Sequence, residues 1–140
     1  MADLERAILI AARAHYGQRD KSGAPYILHP LRVMQRMPTE MLRVIAVLHD
    51  VIEDTVFSLE NLRDEGFSND ILEALDCLTR REGETYERFI ERVKSHPLAV
   101  QVKIADLEDN MDMRRMEKVT EKDLTRIAKY HRAWMEIKGC

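Results

Sequence analysis

Leu42-Arg43-Val44-Ile45-Ala46-Val47-Leu48-His49-Asp50-Val51-Ile52-Glu53-Asp54 is the stretch that decides the fold. Pro38 and Thr39 in front of it read as a stop and an N-cap, so a helix is expected from there through about Asp54. Apolar residues fall on nearly every face between Leu42 and Ile52, and a helix that is apolar all round is a buried one. Such a helix needs others to cover it, and the flanking sequence supplies them. Upstream, Leu4, Ala7, Ile8, Ala11 and Ala12 recur at helical spacing and predict a first helix over residues 3–16. A loop follows at residues 17–25, with Gly23 and Pro25 as breakers, and Pro30 then opens a short helix to about Arg36. Downstream, Ser58 and Ser68 are the expected N-caps of two more helices, the second with Ile71, Leu75 and Leu78 on its inner face. Tyr86, Phe89, Ile90 and Val93 repeat at i, i+3, i+4, i+7 and mark another. Residues 100–104 alternate as a strand would, but a lone strand among helices has no pairing partner, so helix is the reading there too. Thr120 with Asp123 three residues on forms a capping-box pattern for the last helix. Its expected buried stripe is Leu124, Ile127, Ala128, His131 and Met135. The fold class is all-α, a bundle around a buried central helix.

The 140 residues suit one domain spanning 1–140, since 45% are hydrophobic and 34% charged, close to globular averages. With 22 basic and 25 acidic residues the net charge is −3, which argues against a nucleic-acid partner held by bulk electrostatics and leaves room for a local basic pocket. Cys77 and Cys140 make no disulfide framework, and eight methionines suit a reducing interior. No apolar run approaches the roughly 18 residues that span a membrane. The first residues, MADLERAI, lack a signal-peptide pattern. The expectation is a cytoplasmic chain without a membrane or nucleic-acid partner, its oligomeric state open.

Local rules break at the end of the apolar stretch. His49, Asp50, Glu53 and Asp54 bring an imidazole and three carboxylates into the last turns of a helix whose negative dipole end opposes anions. An uncompensated buried charge costs roughly 3–5 kcal/mol, so the cluster calls for a cation. The plainer reading has Glu53 and Asp54 reaching solvent and Asp50 paired with an arginine. Two further segments bear on the choice: His29 stands directly before Pro30, and Asp106 and Asn110 lie one helical turn apart. Two histidines and two aspartates, if they converge, make a nitrogen/oxygen site suited to Mn²⁺, Fe²⁺ or Zn²⁺.

The order His29, His49-Asp50, Asp106 resembles the H…HD…D signature of the HD metal-dependent phosphohydrolases. Within that superfamily, HYGQRDKSGAPYILHP (15–30), LHDVIEDT (48–55) and VKIADLEDN (102–110) resemble the hydrolase domain of the RelA/SpoT family and the stand-alone small alarmone hydrolases. The likeness is to the hydrolase half of that family. It implies an HD-domain bundle and a metal, usually Mn²⁺, held by His29, His49, Asp50 and Asp106. It further implies that Glu53 and Asp54 are the catalytic acidic pair. Asn110, Lys21 and Tyr130 then contact substrate, and Arg19 can help to neutralise phosphate.

The activity implied is removal of the 3′-pyrophosphate of (p)ppGpp or a similar nucleotide. In such a reaction Glu53 or Asp54 can position a water and accept its proton. The alternatives are a phosphatase acting on another nucleotide such as NADPH, or a non-catalytic nucleotide-binding regulatory domain. Asp20 departs from the family loop: it stands where hydrolases of (p)ppGpp usually carry an arginine that stacks on guanine, and a carboxylate can do neither that nor attract phosphate. His15 belongs to the family-like block without an assigned role, while His96 and His131 read as structural or exposed and Cys77 as a small core residue.

Overall fold

The computed structural model describes residues 3–139, which hold helices and no strand. Asp3 opens α1 (Leu4–Ala14) by accepting the Arg6 N–H, and α2 (Leu28–Gln35) carries Pro30 in its first turn, where a missing N–H costs nothing. Thr39 caps α3 (Glu40–Leu48) through the Leu42 N–H. The one-turn α4 (Val51–Asp54) follows, then α5 (Leu59–Asp64) and α6 (Asn69–Leu78). The remaining helices are α7 (Tyr86–Lys94), α8 (Pro97–Asn110) and α9 (Glu121–Lys138), with a 3₁₀ turn at Met113–Arg115 between the last two. Residues 100–104 lie inside α8, as expected of a segment without a strand partner.

α3 is the hub. Every residue from Val44 to Leu48 is buried, and α1, α2, α6 and α8 all pack against this helix. Ile45 and Leu48 have no exposed surface, and each such side chain contributes roughly 1.5–3 kcal/mol relative to an exposed one. Ile71, Leu75 and Leu78 of α6 and Phe89, Ile90 and Val93 of α7 complete the core with the faces assigned from the sequence. No helix of the described residues is long and apolar enough to cross a membrane.

Three expectations need correction. The central helix does not run unbroken to Asp54: it stops at Leu48, and His49 and Asp50 separate it from α4. The His49 Nδ1–H donates to the Ala46 carbonyl at 2.6 Å, so the imidazole folds back on the last turn and aims its other nitrogen inward. Glu53 and Asp54 therefore sit in a one-turn helix of their own, and the dipole of a long helix has no bearing on them. The stripe assigned to α9 is also displaced. Leu124 is 53% exposed and Ala128 and His131 are exposed, whereas Asp123 and Ala133 are buried and Tyr130, Trp134 and Ile137 pack on the core. Much of the inward face borders a polar cavity, so apolar periodicity does not mark it. Finally, Ser58 caps α5 in a capping box with Asn61, but Ser68 stands at the start of α6 without a side-chain cap bond. Cys140 lies outside the described residues.

Candidate active site

The α1–α2 loop, the α3–α4 junction, the middle of α8 and the inner face of α9 surround a cavity of about 490 Å³. At its floor, one ligand atom from each of His29, His49, Asp50 and Asp106 lies within 4.8 Å of all the others. His29 rides on α2, His49 and Asp50 on the junction, and Asp106 on α8, so three separate pieces of chain supply the group. The junction supplies two of them as sequence neighbours, His49 and Asp50, both in right-handed helical backbone.

The histidine tautomers are set from outside. His29 Nδ1 bonds Asp109 Oδ2 at 2.6 Å, and His49 Nδ1 bonds the Ala46 carbonyl. Both Nε2 atoms then face inward, that of His29 2.8 Å from Asp106 Oδ1 and that of His49 3.2 Å from the same oxygen and 3.1 Å from Asp50 Oδ2. Neutral imidazoles in these tautomers would present lone pairs to carboxylate oxygens, so the centre demands positive charge. Protons alone can supply it: burial pushes the His29 imidazolium down, yet its bonds to Asp106 and Asp109 outweigh that and raise it to about 9. His49 is likewise raised, Asp50 and Asp106 outweighing burial. Burial pushes Asp50 up, but the charge of His49 prevails and holds it at about 2. A divalent cation meets the same demand at lone pairs already aimed at one point. Outer bonds from each ligand are the arrangement that orients metal ligands. The residues fit a metal.

A supporting layer surrounds these four. Tyr26 donates its hydroxyl to Asp50 Oδ2 at 2.6 Å. Lys103 and Asn110 donate to the two oxygens of Asp106 at 2.9 and 3.1 Å, and Arg32 holds Asp109 at 2.8 Å. Tyr26, Lys103 and Asp109 were not singled out from the sequence, although all lie within the quoted blocks. Asp50 has no arginine partner among the described residues, so that part of the plainer reading fails, while Glu53 and Asp54 are both exposed, as it expected.

Glu53 and Asp54 reach the cavity from α4. The Arg80 N–H donates to Glu53 Oε1 at 2.9 Å, which occupies one of the two carboxylate oxygens. Asp54 rises to about 6 through burial, reinforced by Asp50 and Glu53. Arg19, Lys21, Asn110 and Tyr130 all line the same cavity; His49 is the one candidate site residue outside the lining, and it joins the others through the four-ligand group at the floor. Basic groups absent from the sequence assignment join them: Arg80, Arg126 and Lys129, the last with its ammonium 4.0 Å from the Tyr86 ring centre. Arg80 comes from the connection after α6 and the other two from α9, so only the fold makes them neighbours.

Asp20 also lines the cavity, but its carboxylate is committed to the loop. One oxygen accepts the N–H groups of Ser22 and Ala24 at 2.9 and 3.0 Å. Gly23 closes that turn at φ +85°, where a side chain would be strained.

The chain has relatives among known proteins. The chain is 35% identical over 118 residues to a guanosine-3′,5′-bis(diphosphate) 3′-pyrophosphohydrolase of Haemophilus influenzae. It is 32% identical over 124 residues to a GTP pyrophosphokinase of Streptomyces coelicolor. These matches take in 74% and 79% of the chain. The chain is a RelA/SpoT-type HD domain. The matches span 17% and 14% of those two relatives, so this domain corresponds to under a fifth of their length. Its fold is that of a solved metazoan ortholog of SpoT, described as hydrolysing ppGpp and acting in starvation responses, with a TM-score of 0.80 and 22% identity over 98% of this chain and 85% of that one. No family model matches the chain.

Proposed function

We propose that this HD domain is a metal-dependent hydrolase removing the 3′-pyrophosphate of (p)ppGpp or a closely similar nucleotide, with Mn²⁺ at the His29–His49–Asp50–Asp106 centre. The observation that carries the reading is the convergence of those four ligands within 4.8 Å at the floor of a cavity that Glu53 and Asp54 also enter. Relatives named as guanosine-3′,5′-bis(diphosphate) 3′-pyrophosphohydrolases support the substrate class.

When bound, the divalent ion supplies neutralisation of phosphoryl charge and acidifies nearby water. Asp54, titrating near 6, is a base suited to taking that water's proton near neutral pH. Glu53, held through one oxygen by Arg80, keeps the other to orient the water. Lys21, Arg19 and Asn110 approach the substrate's phosphates from the cavity wall, and Tyr130 lies against the nucleotide. A cytoplasmic, reducing setting goes with this reading, the chain being poor in cysteine.

Asp20 supports the second reading, hydrolysis of another nucleotide such as NADPH. It puts a carboxylate on the cavity wall in place of the planar cation that would stack on guanine. A panel of phosphorylated nucleotides with Mn²⁺, scored for pyrophosphate against orthophosphate, tests both. Pyrophosphate from ppGpp supports the first, orthophosphate from NADPH the second, and release from neither leaves a nucleotide-binding domain.

A further inference from the structure

His15 is buried, with 2% of its surface exposed, and has no place in the chemistry above. Its Nδ1 lies 2.8 Å from Gln18 Oε1, and the other end of that amide, Nε2, donates to the Asp54 backbone carbonyl at 3.0 Å. That carbonyl can only accept. Gln18 must therefore turn its NH₂ toward Asp54 and its oxygen toward His15, and His15 must then carry its proton on Nδ1. The remaining nitrogen, Nε2, is left as a buried lone pair, and it is indeed one of the few buried polar atoms without a partner. Burial holds the imidazole neutral by lowering its pKa, so this tautomer is the resident one.

The bridge spans 36 residues of sequence to reach a helix that cannot hold itself. α4 has four residues, one turn, and single turns are not stable alone. The Thr55 N–H and hydroxyl both go to the Val51 carbonyl, so Gln18 is what meets the carbonyl of Asp54 at the open end. The His15 ring also packs 5.1 Å from that of Tyr26, whose hydroxyl holds Asp50.

We propose that His15 and Gln18 are positioning residues: a tautomer-locked bridge that fixes α4 and thereby aims the Asp54 carboxylate into the cavity. This rests on Asp54 being the base, and its test has one arm that needs no substrate. In Gln18→Ala, amide hydrogen exchange in residues 51–55 should quicken at least tenfold while exchange in α3 and thermal stability elsewhere stay near wild type. Unchanged exchange there overturns the bridge, whatever the substrate proves to be. With ppGpp and Mn²⁺, the same variant should lose about tenfold in kcat with KM within twofold and metal content intact, since small misplacement of a reacting group is costly. A structural role alone would subtract equally in every background, so the cycle with Asp54→Asn decides: Gln18→Ala should cost nothing further once Asp54 is gone. Additive losses overturn the proposal. His15→Phe keeps the ring against Tyr26 but frees the Gln18 amide to flip. It should lower kcat about threefold without lowering thermal stability, and wild-type kcat would remove His15 from the bridge. Wild-type protein inert toward ppGpp overturns the substrate assignment and leaves the exchange result standing.

Discussion

Asp54 carries a conflict between stability and chemistry. Its folded pKa, about 6, lies above the ordinary 3.8, so the protonated form is the one the fold favours. The stability this contributes is present below about pH 4 and lost as pH rises through 6. In metal-free protein Asp54→Asn should therefore raise the melting point at pH 8 and change it little at pH 4.5. The carboxylate is open to solvent at the cavity edge, so the gain is on the order of 1 kcal/mol after screening. Equal shifts at both pH values would contradict the raised pKa. The same variant, and Glu53→Gln, should lower turnover by roughly 10²-fold with metal content unchanged. A metal-free variant would make that residue a ligand. Asp20 needs two substitutions, because its carboxylate holds the Ser22 and Ala24 amides. Asp20→Asn keeps an acceptor and removes the charge, whereas Asp20→Arg adds a stacking cation and loses the turn. If repulsion alone limits ppGpp, Asp20→Asn lowers KM about as much as Asp20→Arg; if stacking matters, the arginine gains a further ~3- to 30-fold. No change of KM in either variant would separate Asp20 from substrate choice.

Elements were legible from sequence wherever they face the core. α6 follows its apolar spacing because its inner face meets only other side chains, and α7 does so although Tyr86 and Phe89 also border the cavity; in α1 Ala12 is exposed and Ile10 is buried instead. α3 misled in one respect: the apolar run continues through Val51 and Ile52, so nothing in the pattern marks a break that depends on His49 bonding back to Ala46. α9 misled because its inner face meets a cavity. Its start was legible, since a capping box is local chemistry: Thr120 and Asp123 bond reciprocally as the pattern implies. Thr120→Ala should cost about 1 kcal/mol in a denaturant melt. Because α9 carries Tyr130 and Lys129 to the cavity, KM should suffer more than kcat. A fall in kcat at unchanged KM would mean that α9 serves the chemistry itself. The ligands were legible as residue types in blocks. Their supports were not, because Asp109 meets His29 across 80 positions and Tyr26 meets Asp50 across 24.

At the scale of the whole molecule, a net charge of −3 conceals a cavity where basic groups from the first loop, α8 and α9 gather around a carboxylate-rich floor. That floor is assembled from three separate pieces of chain, so a cation bound there ties them together and should stabilise the fold. At a hundredfold excess over Kd the gain is about 2.7 kcal/mol, or a rise in Tm on the order of 5–10 °C, reversed by a chelator. The central claim is that His29, His49, Asp50 and Asp106 hold the metal that hydrolysis requires. The most direct test is metal content and ppGpp turnover measured together on wild type and Asp106→Ala after loading with Mn²⁺. The account predicts about one ion per chain and pyrophosphate release for wild type, with both lost in the variant. Full metal occupancy in Asp106→Ala, or pyrophosphate release surviving without metal, would contradict it.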